Sequence, residues 1–301
     1  MNNFLIVMLG PTGVGKTDIS IDIAERFDCE IISADSRQFF REMKIGTAVP
    51  SEYQINKIKH HFIHFISIAD YYSASLFERD VLELLPRLFI RNNIVLMTGG
   101  SGLYIDAVCN GYDDIPDVDP IARNKYINMY KNNGIEALRE TLSLLDPEHY
   151  LKVDLSNHKR IMRALEICET TGSPYSSFLK NQIRKRDFKI VKIGLGRDRD
   201  KLYKRINLRV DEMVKMGLEE EAMQLYKFRH LNALNCVGYR ELFDYFDGTI
   251  TRDKAIELIK RNSRRYAKRQ LTWWGKDKDI RWFHPDKIED VFEYIQKSIT
   301  G

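Results

Sequence analysis

Near its amino terminus the sequence reads Gly10-Pro11-Thr12-Gly13-Val14-Gly15-Lys16-Thr17, which fits the phosphate-binding loop pattern of Gly, four residues and Gly-Lys-Thr. The apolar run FLIVML (4–9) precedes this stretch and predicts a buried parallel strand. After it, Ile19, Ile23 and Phe27 recur at helical spacing. The order of strand, glycine-rich loop and helix is the context that confirms such a loop. The sequence therefore predicts an α/β fold with a parallel sheet.

The residue types of this loop suit a polyphosphate. Glycines let the backbone curl so that its N–H groups converge on an anion. The helix that follows offers the positive end of its dipole to the same place. Lys16 adds a point charge, and the hydroxyl of Thr17 is suited to holding Mg²⁺. The loop predicts a polyphosphate ligand but does not identify which one.

Length and composition narrow the class of protein. The 301 residues are enough for one or two domains. No apolar run approaches membrane-spanning length, and no basic region precedes the first apolar run, so we expect a cytoplasmic protein with no membrane partner. Four scattered cysteines form no CxxC pair and predict buried thiols in place of a disulfide or zinc site. They are Cys29, Cys109, Cys168 and Cys236.

Charge is distributed unevenly along the chain. Residues 1–120 contain 10 Lys and Arg against 17 Asp and Glu, whereas residues 121–301 contain 37 against 26. A basic carboxy-terminal part is typical of a nucleic-acid partner, and a solvated basic surface is an equally good explanation on charge alone.

Two further strands end in polar or glycine-rich segments. The run 30–35 reads as a buried strand that ends at Asp35, and 93–97 reads as another that runs into TGGSGLY (98–104). Ligands of open α/β sheets bind beyond the carboxyl ends of strands, so Asp35 is expected beside the phosphate loop as a general base or a magnesium-associated carboxylate. An Asx turn or helix cap is the alternative for a lone Asp. The second strand ends in Thr98, whereas an ATPase usually carries an Asp there, which disfavours an NTP-driven motor.

Composition divides the chain into a core and an insertion. The segment 111–120 is polar, contains two prolines and breaks the α/β alternation. We therefore predict a catalytic core in two parts, 1–115 and 188–301, separated by an all-helical insertion at 116–187. The strand pattern resumes at 188–195, and a helix follows at about 199–216, with Arg205 and Arg209 on one face. On spacing alone, two solvated arginines on an amphipathic helix are the favoured interpretation of this pair.

The last long helix, about 252–274, carries six cations at steps of four residues and predicts a basic ridge that a polyanion would stabilise. They are Lys260, Arg261, Arg264, Arg265, Lys268 and Arg269. Trp273 and Trp274 follow, and core packing is the favoured interpretation of both, with base stacking as the alternative.

Six of these segments, taken in order, resemble the tRNA dimethylallyltransferase family, also called tRNA isopentenyltransferases. They are GPTGVGKT (10–17), ADSRQFF (34–40), IGTAVP (45–50), TGGSGLY (98–104), CVGYRE (236–241) and KRQLTWW (268–274). The resemblance implies a P-loop NTPase-like core with a helical insertion that grips the tRNA anticodon stem-loop. It implies transfer of a dimethylallyl group from dimethylallyl diphosphate to the exocyclic amine of adenosine-37, in tRNAs that read codons beginning with U. We expect a monomer that uses Mg²⁺.

The resemblance also assigns roles to residues. It implies that Asp35 is the general base, that Thr17 holds Mg²⁺, and that Arg209 joins the loop in stabilising the leaving group. The implied diphosphate-binding residues are Gly10, Pro11, Thr12, Gly13, Val14, Gly15, Lys16 and Thr17. The implied tRNA contacts are Asp35, Ser36, Arg37, Gln38, Ser101, Arg123, Lys159, Arg160, Ile161, Met162, Arg163, Cys236, Gly238, Tyr239 and Arg240.

The sequence departs from the family pattern at Phe40, Val49 and His64, where Tyr, Lys and an acidic residue are usual. Two other functions share part of the pattern. A nucleoside- or shikimate-type kinase would share the loop and an Asp after the second strand, but not the long basic insertion. An RNA-binding module with a vestigial loop is disfavoured because Lys16 and Thr17 are intact.

Overall fold

A computed structural model describes residues 2–113, 115–180 and 183–301. Asp114 of the predicted boundary segment, Asn181 and Gln182 of the predicted insertion, and Met1 lie outside the described residues. The described chain separates into two compact units. One comprises the chain up to Cys109 together with Lys185–Gly301, and the other is Asn110–Arg184. The sequence analysis places the insertion at 116–187.

The larger unit is built on a parallel sheet. Among the described residues it has six strands in the order β3-β2-β4-β1-β5-β6, and every neighbouring pair is parallel. The strands are β1 Phe4–Leu9, β2 Ile31–Ser33, β3 His60–His61, β4 Ile94–Gly99, β5 Lys189–Leu195 and β6 Arg281–Phe283. This confirms the predicted fold class. The predicted strand 30–35 is shorter in the structure. Ala34 still donates its N–H to Thr98 O at 2.7 Å, and the chain then turns at Asp35, whose carbonyl accepts the Gln38 N–H at 3.0 Å.

Helices flank the sheet and fill the smaller unit. In the larger unit they are α1 Lys16–Arg26, α2 Glu52–Lys57, α3 Ala74–Arg91, α4 Gly102–Asn110, α8 Arg199–Lys215, α9 Leu218–Leu225, α10 Tyr239–Phe246, α11 Arg252–Trp274 and α12 Ile288–Thr300, with α4 ending at the boundary residue. In the smaller unit they are α5 Pro120–Leu145, α6 Pro147–Tyr150 and α7 His158–Thr171. In the part of the chain that the structure describes, no helix is both long and apolar enough to cross a bilayer.

Strand β1 shows why the sheet is buried on both faces. Its six residues are all 2 % exposed or less. Phe4, Ile6 and Met8 pack into one core with residues of α1, α8 and α12, while the three alternate residues pack with α3 and α4 on the other side. A continuous apolar run, with successive side chains on opposite faces, therefore fixes β1 as a central strand.

The smaller unit has a core of its own. Tyr126, Leu138 and Leu142 of α5 pack against Ile161 and Leu165 of α7, and all five are buried. Helix α5 is kinked at Gly134, which adopts φ 76°, a conformation that glycine tolerates best. The unit can thus bury an apolar core around its long helix pair.

Candidate active site

The loop 10–17 connects β1 to α1 at the carboxyl edge of the sheet. Gly13 has φ 80° and Gly15 has φ 110°, values that favour glycine, and α1 begins at Lys16. A side chain at Gly13 would also place its Cβ 2.8 Å from the Ile206 side chain of α8. The glycines therefore permit a tight turn that leads directly into the amino-terminal end of α1, the kind of helix end at which anions bind.

Four cationic side chains surround this loop. Lys16 Nζ donates to Gly10 O at 2.8 Å and to Pro11 O at 3.1 Å. Arg209 donates to Thr12 Oγ1 at 3.3 Å, Arg205 Nε to Gly13 O at 3.0 Å, and Arg197 Nε to Val14 O at 2.9 Å. Arg205 and Arg209 lie on one face of α8, as their spacing predicts. The sequence analysis did not identify Arg197, which follows β5 and has no motif of its own.

Burial lowers the pKa of two of these groups. Burial, aided by the positive charge of Arg209, lowers the pKa of Lys16 to about 8, although the Asp35 carboxylate acts in the opposite direction. Burial also lowers the pKa of Arg209, again opposed by Asp35. Two cations held close together beside one carboxylate form a site that gains electrostatic stabilisation when a polyanion enters.

Asp35 lies in the same cavity as the phosphate loop. It follows β2, and its Oδ1 accepts the Arg37 N–H at 3.1 Å, so the Asx turn considered as an alternative is also present. The cavity has a volume of about 540 Å³. Its lining includes Thr17, Asp35, Gln38, Arg209, Tyr266 and Gln270. The glycine-rich loop and the Asp35 carboxylate therefore face one shared space.

The TGGSGLY turn brings Ser101 to the Asp35 segment. Ser101 Oγ accepts the Ser36 N–H at 2.9 Å and lies 3.0 Å from Ser36 Oγ. A Cβ at Gly99 would lie 2.3 Å from the Ala34 backbone. Because this contact is with backbone, only glycine allows the turn and the segment after β2 to approach so closely.

Gln270 connects the two glycine-rich turns, and the sequence analysis assigned it no role. Its Oε1 accepts the Thr12 N–H at 2.9 Å, and its Nε2 donates to Gly100 O at 2.8 Å. The Tyr266 hydroxyl donates to the same carbonyl at 3.2 Å. Gln270 lies in the KRQLTWW segment (268–274), which is the sequence signal that could have identified it. Nothing in the spacing of that segment shows that Gln270 contacts Thr12.

The predicted tRNA contacts of the larger unit differ in how exposed their side chains are. Arg37 donates to the carbonyls of Asn232 and Ala233 at 3.1 and 3.0 Å, which joins it to the segment before Cys236. Arg240 is exposed, whereas Tyr239 is completely buried. The Tyr239 side chain thus has no exposed surface in this structure with which to touch RNA.

Cys236 and Gly238 are backbone and packing residues of the same segment. Cys236 is a half-buried free thiol, and burial raises its pKa to about 11. Gly238 has φ 104° and donates its N–H to Glu241 at 2.8 Å at the start of α10. The other three cysteines are free and buried, as predicted.

In the smaller unit, Lys159 and Arg160 are exposed at the start of α7. Arg163 and Met162 are half-buried, and Ile161 is fully buried in the core. Ile161 therefore stabilises α7 by packing in the core of the smaller unit. The sequence analysis predicts a basic face of Lys159, Arg160 and Arg163. Of these three cations, the two in the first turn of α7 are exposed.

Glu166 pairs with two of the arginines that are predicted to contact tRNA. Its carboxylate lies 3.6 Å from Arg123 Nε and 3.9 Å from an Arg163 nitrogen. Burial raises the pKa of Glu166, while the two arginines counteract that effect. Arg123 and Arg163 are thus held side by side through one shared carboxylate.

The basic ridge predicted for α11 is wrong as a continuous exposed surface. Lys260 pairs with Asp211 of α8 at 2.5 Å, and Arg264 donates to Asn207 at 2.5 Å. The cause is that α8 packs along this helix and supplies polar partners. Three cations remain exposed: Arg265, Lys268 and Arg269.

The two tryptophans divide between core and surface. Trp274 is 2 % exposed and packs in the core, as expected. Trp273 is 45 % exposed and donates its indole N–H to Asp106 at 2.7 Å. Core packing is therefore correct for Trp274 and wrong for Trp273.

Comparison with known proteins adds to this geometry. The profile of the IPP transferase family matches residues 38–277. A protein of Parabacteroides distasonis named tRNA dimethylallyltransferase 2 is 52 % identical over 297 residues, covering 99 % of each chain. A protein of Porphyromonas gingivalis named tRNA dimethylallyltransferase 1 is 55 % identical over 282 residues, covering 94 % of each.

Solved structures agree with these sequence matches. The full-length tRNA isopentenylpyrophosphate transferase of Bacillus halodurans superposes with a TM-score of 0.72 at 36 % identity, covering 98 % of this chain and 96 % of that one. A eukaryotic dimethylallyltransferase described as acting on tRNA superposes with a TM-score of 0.77 at 25 % identity, covering 94 % and 74 %. The chain therefore belongs to the IPP transferase family, together with the proteins named tRNA dimethylallyltransferase.

Proposed function

We propose that this chain transfers a dimethylallyl group from dimethylallyl diphosphate to the exocyclic 6-amino group of adenosine-37 in tRNA, releasing diphosphate. The observation that carries the proposal is the shared cavity, in which Lys16, Thr17 and Arg209 face the same space as Asp35. Family membership supports the reaction class. Adenosine-37 lies in a stacked anticodon loop, so we expect the base to leave its stack to reach the cavity.

The residues supply the two needs of this substitution. The amine nitrogen forms a bond to the allylic carbon while the carbon–oxygen bond breaks, and the electron pair of that bond leaves with the diphosphate. The loop amides, Lys16 and Arg209 stabilise the charge that develops on the departing oxygen. Asp35 orients the amine and accepts its proton, a contribution typically worth about 10²–10⁴ in rate.

The oxygen donors of the site fit Mg²⁺. Thr17 and Asp35 line the cavity, and Mg²⁺ typically binds one or two protein oxygens together with substrate phosphates and water. Among the described residues no group of three or more His, Cys, Asp or Glu could hold a metal by itself. Thr17 would hold the ion, and the ion would supply further neutralisation of the diphosphate.

Mass analysis of tRNA nucleosides tests the proposal. Purified protein is incubated with dimethylallyl diphosphate, Mg²⁺ and tRNA that reads codons beginning with U, and the digested nucleosides are compared before and after. We expect one new nucleoside, dimethylallyl-adenosine, and an equal amount of released diphosphate. Unmodified adenosine, or consumption of ATP with a small acceptor in the absence of tRNA, would refute the proposal.

A further inference from the structure

One wall of the cavity is a short loop, residues 44–48, here called the wall loop. Its Thr47 and Ala48 line the cavity, and Ala48 adopts φ 48°, which is uncommon for a residue with a side chain. The loop is not part of a helix or strand. Its own backbone supplies one hydrogen bond, from Ala48 N–H to Ile45 O at 3.0 Å, and side chains of other segments supply further contacts.

Glu221 of α9 supplies those contacts from one side. Its carboxylate accepts the backbone N–H groups of Lys44, Ile45 and Gly46, each at 2.9 Å. It also accepts the Tyr239 hydroxyl at 2.6 Å. Hydrogen bonds to a charged group are about twice as strong as neutral ones, so the three that Glu221 accepts from the loop fix it firmly.

Tyr239 closes the same contact from within the core. The residue is fully buried, and a Cβ at Gly46 would lie 2.6 Å from its ring and hydroxyl. Gly46 therefore allows the wall loop to lie directly against Tyr239. Because Tyr239 begins α10, the segment 236–240 and the wall loop are connected through one phenol and one carboxylate.

Gln38 holds the wall loop from the cavity side. Its Nε2 donates to Thr47 O at 3.3 Å and to Ala48 O at 3.2 Å, while its Oε1 accepts the Ser33 hydroxyl at 3.1 Å. Both amide hydrogens are thus engaged, and the group that Gln38 can offer to a ligand is the remaining lone pair of Oε1. A lone pair selects a hydrogen-bond donor, such as an amino group on a base.

We propose that Glu221 is a positioning residue of the transfer reaction, which fixes the wall loop and, through its carbonyls, the orientation of the Gln38 amide in the cavity. This inference rests on the proposed function, since it concerns how the tRNA substrate is held. Glu221 itself does not contact the diphosphate loop in any hydrogen bond of the described residues. A substitution of Glu221 should therefore affect the use of tRNA and leave diphosphate binding unchanged.

The test uses the Glu221→Gln variant of the full chain, which keeps the size of the side chain and removes its charge. We expect kcat/KM for tRNA to fall at least about tenfold, because an amide in this position turns two donors toward backbone N–H groups. The dissociation constant for dimethylallyl diphosphate with Mg²⁺, measured by titration calorimetry without tRNA, should change less than about twofold, since the loop 10–17 keeps its own contacts.

The matched control is Glu220→Gln, which makes the same change at an exposed neighbouring residue of α9 and should leave both quantities at the wild-type value. All rates are measured at a temperature where melting shows each variant fully folded. If Glu221→Gln does not fold, Tyr239→Phe removes the hydroxyl alone and should raise KM for tRNA with little change in diphosphate binding.

Two results would overturn the inference. One is an unchanged kcat/KM for tRNA in a folded Glu221→Gln or Tyr239→Phe variant. The other is an equal loss of diphosphate binding and turnover, which would indicate a general structural role. Failure of the proposed function is distinguishable from both, because the wild-type protein would then transfer no dimethylallyl group to any tRNA.

Discussion

At the scale of single residues, substitution of Asp35 is expected to lower the transfer rate most strongly. Replacing it with Asn preserves shape and removes the proton acceptor, so the single-turnover transfer rate should fall by about 10²–10⁴. Diphosphate binding should persist, because Lys16 and Arg209 bond to the loop and its hydroxyl without using Asp35. Rapid-quench measurement of modified tRNA gives the rate, and calorimetry gives the affinity. A near-normal rate would remove Asp35 from the mechanism.

Lys16 predicts a pH dependence of diphosphate binding. Its pKa in the free protein is lowered to about 8, so above that pH the amine is largely neutral. A bound diphosphate favours the charged form and raises the pKa again. We therefore expect affinity to fall above pH 8 and binding at about pH 8.5 to take up a proton, as linkage requires. Calorimetry in two buffers of different ionisation enthalpy measures the uptake.

The control for this prediction is Lys16→Met, which should abolish the proton uptake and weaken binding at every pH. The pH dependence of stability is opposite in sign to the pH dependence of diphosphate binding. Between the folded value of about 8 and the ordinary value of 10.5, the unfolded chain binds more protons, so the contribution of Lys16 to the free energy of unfolding rises with pH. Binding without any proton uptake at pH 8.5 would contradict the assigned pKa.

How far the site can be predicted from sequence depends on how local its signal is. Lys16, Thr17 and Asp35 belong to short patterns beside a strand end, and parallel strands bring their carboxyl ends to one edge. Gln270 contacts Thr12 from 258 residues away, and no spacing or periodicity encodes that contact. The burial of Tyr239 likewise depends on the tertiary packing of α10, which a motif does not show.

At the scale of elements, α11 joins the site to the core through Gln270. Gln270→Leu removes the partner of Thr12 N–H and leaves Gly100 O with the Tyr266 hydroxyl alone, and an unsatisfied donor away from water costs about 1–3 kcal/mol. We expect the free energy of unfolding to fall by that amount in urea denaturation, together with kcat. The exposed Gln296→Leu is the control and should change stability by less than about 0.5 kcal/mol.

The isosteric Gln270→Glu separates the two contacts. It can still accept from Thr12, but when ionised it sets a carboxylate oxygen against Gly100 O at a buried position. Its free energy of unfolding should therefore fall at least as far as that of Gln270→Leu. Equal stability and turnover in all three proteins would contradict a connecting role for this side chain.

Strands and helices themselves are well predicted where a periodic pattern runs along the whole element. The helix predicted over about 252–274 is observed as Arg252–Trp274, and the strand predicted at 188–195 as Lys189–Leu195. That part of the predicted basic ridge on α11 is covered could not be predicted, because steps of four give the face of a helix but not the element that packs against it. Helix α8 covers part of that face and pairs with Lys260 and Arg264.

At the scale of the whole molecule, the excess positive charge of residues 121–301 should appear as salt-dependent tRNA binding. Lys159→Ala and Arg160→Ala each remove an exposed cation from α7. If each neutralises one phosphate, the slope of log K against log salt should decrease by about 0.7–0.9 per variant, with equal weakening for cognate and non-cognate tRNA. Filter binding over a salt series measures this.

Lys152→Ala is the control for the salt series, because Lys152 is exposed in the same unit and pairs with Glu148 at 2.7 Å. It should leave the slope unchanged. An unaltered slope in both α7 variants would show that the first turn of this helix does not contact phosphate.

The central claim is that one cavity holds the leaving diphosphate and the attacking amine. A structure of the protein with an unreactive dimethylallyl diphosphate analogue, Mg²⁺ and an anticodon stem-loop containing adenosine-37 tests it most directly. We predict diphosphate on the loop 10–17 and the adenine 6-amino nitrogen within about 2.6–3.2 Å of an Asp35 carboxylate oxygen. A base bound away from Asp35, or a diphosphate bound away from Lys16 and Arg209, would contradict the account.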